Sequence, residues 1–364
     1  MPGCPPLLPV LPTRVRRNYR GGLLLDQLAH VATPADSDRP ESWLASTVTA
    51  TNPGLEPVPG EGLTQVMAEP GGAATTLASM IDRRPEFYLG AAHLARHGRN
   101  LGFLAKLLDS AMRLHVQVHP TAAFAREHLG SPYGKLEVYY VLAVREGCEG
   151  YIRLGFQRAP SRAEWARIVL EQDIAAMDAC FDRLPVRAGE VWLVPGGMPH
   201  AIGEGVLMVE VMEPSDLVVR CEFEREGVVV PPAGRFMGRD PEFCFGIFDY
   251  ASYAPAEVRR RSRLEPRPLA AGACWSRDLL VGPDHTACFE IQRIHGFGPA
   301  PLPAGGRATL VVQTAGSASL ACGAHNVALR FGEACFVAAE AGPVFCHLHS
   351  PSSEVLLCRP SFAP

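Results

Sequence analysis

The sequence predicts a mainly β protein built from two antiparallel units, with helical excursions in its first half. Three observations carry this. Short runs rich in β-branched and aromatic residues recur, among them HVQVHP ending at Pro120, GKLEVYYVLAV over 134–144, GEVWLVP from Gly189 and GVLMVEVM from Gly205. From residue 274 onward such runs alternate with glycine-containing turns, as in a sandwich or barrel. Strand and helix patterns do not alternate over long stretches, which excludes a doubly wound sheet. At 364 residues the chain exceeds one ordinary core, so two domains are expected, 1–245 and 246–364.

Residues 1–60 are rich in Pro, Gly and Thr and suit short extended stretches. Residues 74–97 read as helix, interrupted at Pro85. LGFLAKLLD, over 101–109, then leads into HVQVHP. A second helical stretch spans 161–184: Ser161 and Glu164 have capping-box spacing, and Trp165, Ile168, Val169 and Ile174 follow with helical period. After Pro185 the pattern returns to strands. A basic, proline-bearing linker runs from Arg259 to Pro268.

The net charge of −4 gives no footprint for nucleic acid. No apolar run reaches membrane-spanning length, and the N-terminal residues lack a signal-peptide layout. The 11 cysteines are odd in number and form no CxxC pair, which suggests reduced thiols and a cytoplasmic setting. Of the 34 Lys and Arg residues only two are lysines, Lys106 and Lys135. A chain that uses arginine nearly everywhere else keeps lysine where a compact ammonium is needed.

Chemistry-bearing residues gather in three segments. Alternate strand residues share a face, so His115, Gln117 and His119 project together, away from Val116 and Val118. Lys135 and Glu137 share a face in the next strand, with Val138 and Tyr140 opposite. Imidazole, amide, carboxylate and ammonium on one interior face are costly unless something binds there, and a divalent cation suits His119 and Glu137. The third segment runs from Gly189 through Pro195 and Gly197 to His200. It fits G-x5-P-x-G-x2-H, which looks like the second cupin motif: a strand, a tight Pro-Gly turn, and a histidine delivered to a barrel interior. Glu204 stands where that motif usually closes with Asn.

These residues resemble the class I mannose-6-phosphate isomerases. LAKLLDSAMRLHVQVHP, GKLEVYY, GEVWLVPGGMPHAIGEGVLMVEV and EPSDLVVR carry the resemblance, with RPESW near residue 41 a weaker match. It implies a double jelly-roll (cupin) fold and one Zn2+ per chain, held by Gln117, His119, Glu137 and His200. It also implies an active-site arginine at Arg220, site lysines at Lys106 and Lys135, and a site carboxylate at Glu41. Three positions depart from the family: His115 replaces a Ser associated with phosphate, the aromatic-Gly-Gly element is Tyr19-Arg-Gly-Gly, and Val219 replaces a Tyr.

The function implied is aldose–ketose isomerisation of a sugar phosphate, most directly mannose 6-phosphate to fructose 6-phosphate. Arg220 and Lys106 are then candidate anion holders, and His115, Lys135 and Glu204 candidate bases. Alternatives are an isomerase of another or unphosphorylated sugar, and a non-catalytic sugar-binding cupin. An iron or manganese oxygenase is disfavoured, because such sites use His-x-His with a carboxylate close by, whereas Glu137 lies 18 residues beyond His119. In the second unit Gly332–Ala338 repeats the start of the Gly189 motif, but Pro343 stands where His200 would be. His347 and His349 share one strand face there and read as structural.

Overall fold

The computed structural model describes residues 4–69, 71–303 and 306–362. A seven-stranded sheet, six strands from the first half together with Arg263–Leu264, faces a five-stranded sheet from the first half. Tyr139, Val141, Trp192, Val206 and Met208 from the large sheet meet Ile152, Leu154 and Ile202 from the small one in a common core. The outer face of the small sheet presents Val116, Val118, Ala201 and Val219 to Trp165, Ile168, Val169 and Met177. The helical excursions thus cover a sheet face that would otherwise be exposed and apolar.

The second half supplies eight strands of a nine-stranded antiparallel sheet, and Leu7–Pro9 is the ninth. Its strands alternate as the pleat requires. Leu310, Val312 and Leu356 pack on Val138, Tyr140, Leu142, Val209 and Val211 of the first unit. Val311, Val355 and Leu357 join Ile294, Leu320 and Leu329 in a separate core. Among the described residues two strand pairs cross residue 245. Leu7–Pro9 pairs with Cys335–Val337, and Leu264 and Arg263 pair with Val191 and Trp192. The fold is mainly β, as the strand runs predict.

The helical stretches differ from expectation in their breaks. Residues 74–97 begin with a short strand, Ala74–Thr76, followed by helices Leu77–Arg83, Pro85–Leu89 and Ala91–His97. Thr76 caps the first by accepting from the Ser79 N–H at 3.0 Å. Pro85 opens the second, where its missing N–H costs nothing. In the 161–184 stretch, Ser161 Oγ accepts from the Glu164 N–H at 3.2 Å and starts helix Arg162–Glu171. Gln172 turns left-handed at φ 55°, a short helix follows over Ile174–Ala179, and Leu184–Pro185 is already strand. The helical reading therefore ran a few residues too far at its C-terminal end.

Candidate metal centre

Strand register builds the pocket from both sheets. In the large sheet, Trp43, Lys106, Glu210 and Tyr139 are successive cross-strand partners, so they form one row. Glu137, two residues from Tyr139, shares its face. In the small sheet, Gln117 lies between His200 and Arg220 as direct partners on its two sides. The interior of the first barrel thereby gathers side chains spread from Arg17 to Arg220, which line a single polar pocket.

His119, Glu137 and His200 are fully buried, and their ligand atoms all lie within 4.8 Å of one another. His119 Nε2 is 3.0 Å from Glu137 Oε1, and His200 Nε2 is 3.5 Å from Glu137 Oε2. Each imidazole is held from behind: His119 Nδ1–H donates to the Leu217 carbonyl at 2.8 Å, and His200 Nδ1–H to the Met198 carbonyl at 2.9 Å. Both bonds leave the Nε2 lone pair directed at the centre, the arrangement ligating histidines need. Gln117 completes the set; its amide is 3.3 Å from His200 Nε2, and a half-turn of the amide brings its oxygen to that point.

The Lys135 ammonium is 3.1 Å from Glu137 Oε1 and 3.5 Å from His119 Nε2, a cation placed where these donors converge. Burial, with the Lys135 charge, pushes the His119 imidazole down to about 4. Although burial pulls the other way, contact with His119 and the Lys135 ammonium holds the Glu137 carboxyl well below its ordinary range. A neutral His119 imidazole and an ionised Glu137 carboxylate are the forms that bind a divalent ion. The donor set of two nitrogens with carboxylate and amide oxygens suits zinc. The turn that delivers His200 is braced on the same segment. The Gly197 N–H donates to the His119 carbonyl at 2.7 Å, and a Cβ on Gly196 would sit 2.7 Å from the Pro120 carbonyl oxygen. Only glycine allows that approach.

Beside the centre lies a buried ion network. Glu41 accepts from Tyr19 (2.7 Å) and Lys106 (2.9 Å) on one oxygen, and from Arg17 (2.8 Å) and Trp43 (2.9 Å) on the other. Both its oxygens are committed, so Glu41 lines the pocket as an anchor for neighbouring cations. Lys106 is 3.3 Å from Glu210 Oε1, an atom that has no hydrogen-bond partner among the described residues. Burial and the nearby Glu137 charge push the Glu210 carboxyl up. Tyr139 donates its hydroxyl to Glu137 Oε2 at 2.6 Å.

Arg220 lines the pocket and donates to the Gly234 carbonyl at 2.8 Å. Glu222 is committed to Arg113 and Arg225, at 2.9 Å each. Burial, opposed by Asp216 and aided by the Arg17 charge, brings the Arg220 guanidinium down to about 10. His115 also lines the pocket, but its Nε2–H donates to the Val228 carbonyl at 3.1 Å, and burial lowers the ring to about 4. Glu204 is exposed on a turn outside the pocket lining. The tight turn closed by Gly205, at φ 76°, leaves it outside the pocket, so the expected base role has no place there. In the second barrel His349 lies between the Ser317 and Ser319 hydroxyls, at 3.2 Å from each.

Sequence reasoning passed over Arg17, Tyr139 and Glu210. Tyr139 shares a strand face with Glu137, and Glu210 is a lone carboxylate in the apolar run VLMVEVM; both signals were present. Arg17, in RRNY, has no such mark.

No family model matches the chain. It is 34% identical to a mannose-6-phosphate isomerase of Streptococcus mutans over 166 residues, covering 44% of this chain and 50% of that protein. It is 32% identical to the mannose-6-phosphate isomerase ManA of Bacillus subtilis over 130 residues, 35% and 39% of the respective chains. The chain thus spans about half or less of the length of these relatives. In fold it matches the crystal structure of a Bacillus subtilis mannose 6-phosphate isomerase, with TM-score 0.71 at 17% identity over 97% of this chain and 99% of that one. It likewise matches a mannose 6-phosphate isomerase bound with zinc and yttrium, with TM-score 0.70 at 16% identity over 98% and 100%. In fold over nearly its whole length, and in sequence over the matched segment, the chain is similar to mannose-6-phosphate isomerases.

Proposed function

We propose that the chain is a zinc-dependent aldose–ketose isomerase that interconverts mannose 6-phosphate and fructose 6-phosphate. The observation that carries this reading is the convergence of His119, Glu137 and His200, with Gln117 beside them, on one buried point next to an ion network larger than the metal requires. When bound, the ion polarises the sugar oxygens at C1 and C2 and stabilises the enediolate charge.

The protein's own groups supply the rest. Moving a proton between C1 and C2 needs a base of near-neutral pKa. His115 is a poor candidate, since burial lowers its ring to about 4 and leaves it a weak base. Glu210 suits the role: it is buried, shifted upward, and has one oxygen free of hydrogen bonds. Lys106, held between Glu41 and Glu210, orients that carboxylate. Lys135 is placed to donate to a developing oxyanion beside the ion.

Charge balance supports a phosphorylated substrate. Four cations (Arg17, Lys106, Lys135, Arg220) line the pocket with four carboxyl groups (Glu41, Glu137, Asp216 and the proton-retaining Glu210), so the negative charges do not outnumber the positive. A divalent ion then adds two positive charges, which a phosphate dianion offsets. Arg17 and Arg220 are the cations best placed to hold it, through charge-assisted hydrogen bonds. The test is exchange of the C2 proton of mannose 6-phosphate into deuterated water by the zinc-loaded protein, with fructose 6-phosphate as product. Binding without exchange would instead indicate a sugar-binding protein. Exchange with unphosphorylated mannose, and none with the phosphate, would assign a neutral sugar, for which the replacement of Ser by His115 is the supporting observation.

A further inference from the structure

Away from the pocket, helix Ala91–His97 carries a second pair of histidines. His93 and His97 are four residues apart and so share one helix face. Their ring centroids are 5.0 Å apart with the planes inclined at 42°. The corresponding values for His119 and His200 in the metal centre are 4.9 Å and 49°. Two imidazoles on one tetrahedral ion, each with a Zn–N bond of ~2.0 Å, place their centroids about 5 Å apart.

The nitrogen chemistry agrees. His93 is fully buried, and its Nε2–H donates to the Asn100 carbonyl at 2.6 Å. That bond leaves Nδ1 as a bare lone pair, buried and without a partner among the described residues. His97 hydrogen-bonds the Ser361 backbone, and its Nε2 is likewise buried and unpartnered. Burial lowers both imidazoles, so the rings are neutral at pH 7 and cannot serve each other as cation and acceptor. Leaving a buried acceptor unserved is costly, and here two lie on one face.

We propose that His93 and His97 form a second metal site, taking a divalent transition ion of the zinc or nickel class with water completing its shell. Among the described residues the one group of three or more ligand-bearing side chains is that of the pocket, so the helix site binds more weakly. Its effect is structural. His97 reaches Ser361, and the His93 ring lies 6.4 Å from that of Phe362. An ion here stiffens the end of the helix against the last described residues of the chain.

The experiment is a metal count by equilibrium dialysis against zinc, and separately nickel, on wild type, His97→Gln, His93→Gln and Glu137→Gln. Wild type is expected to take a tight and a weaker equivalent. His97→Gln, at the less buried position, should lose the weaker one and keep the tight one; Glu137→Gln should show the reverse. X-ray absorption on nickel held by Glu137→Gln should show two imidazoles with oxygen ligands. Equal stoichiometry in wild type and folded His97→Gln at saturating metal overturns the proposal and assigns the two lone pairs to water. This outcome is independent of isomerase activity, so it leaves the pocket reading standing or falling on its own test.

Discussion

Glu210→Gln keeps the shape of a buried side chain and removes its capacity to take a proton. If Glu210 is the base, the substitution should lower kcat by ~10²–10⁴-fold, the usual contribution of a positioned acid–base group. That range corresponds to roughly 3–5 kcal/mol of barrier. The fold should survive, because Lys106 retains its 2.9 Å bond to Glu41. Stability should move the other way with pH. Burial and the Glu137 charge raise the Glu210 carboxyl, so the folded chain holds a proton that the unfolded chain has released. That contribution is fully present below the ordinary carboxylate range and is lost as pH rises through the raised value. Glutamine does not titrate, so the melting temperature of the variant should fall less steeply with rising pH and exceed wild type on the alkaline side. The assays are C2-proton exchange by NMR with zinc-loaded protein, and thermal melts across pH. A variant with kcat within about threefold of wild type refutes the base assignment; a melting profile parallel to wild type refutes the raised proton affinity.

Tyr139→Phe removes the 2.6 Å hydrogen bond to Glu137 Oε2 and should weaken metal binding ~10–100-fold in a chelator competition; unchanged affinity would show that the hydroxyl does not tune the ligand. Zinc at a hundred times its dissociation constant should stabilise wild type by ~2.7 kcal/mol, read as a thermal shift that Glu137→Gln largely loses. Arg220→Met, and separately Arg17→Met, should raise KM for mannose 6-phosphate by roughly 10–100-fold through a lost charge-assisted bond, with little effect on unphosphorylated mannose. An equal effect on both sugars would place these arginines in the scaffold.

The candidate metal donors were legible as a group because their signal is local. Residue type and strand parity put Gln117 and His119 on one face, and the Pro195–Gly197 turn announces His200. The reading of Val138 and Tyr140 as outward-facing also agrees with the fold, where they enter the core between the two units. What escaped was set by register. Nothing in the chain states that Lys106 and Glu210, 104 residues apart, are cross-strand partners; that follows from pairing of two whole strands, each aligned by its apolar face. Glu204 was misjudged for a related reason. Strand parity does not extend through a turn, and the left-handed Gly205 reverses the direction in which its neighbour points. Gln172 shortened a helix in the same manner, by a backbone conformation that a periodic pattern does not encode.

The pairing of Leu7–Pro9 with Cys335–Val337 has a consequence for biogenesis. Leu7–Pro9 leaves the ribosome more than three hundred residues ahead of its partner strand. At ~5–20 residues per second, that strand waits on the order of half a minute with unmet backbone donors and acceptors. During this interval an apolar sheet edge is open to strangers, so chaperone dependence and aggregation during synthesis should track the availability of Ala334–Val337. Deleting that late strand would therefore disturb the start of the chain as much as its end.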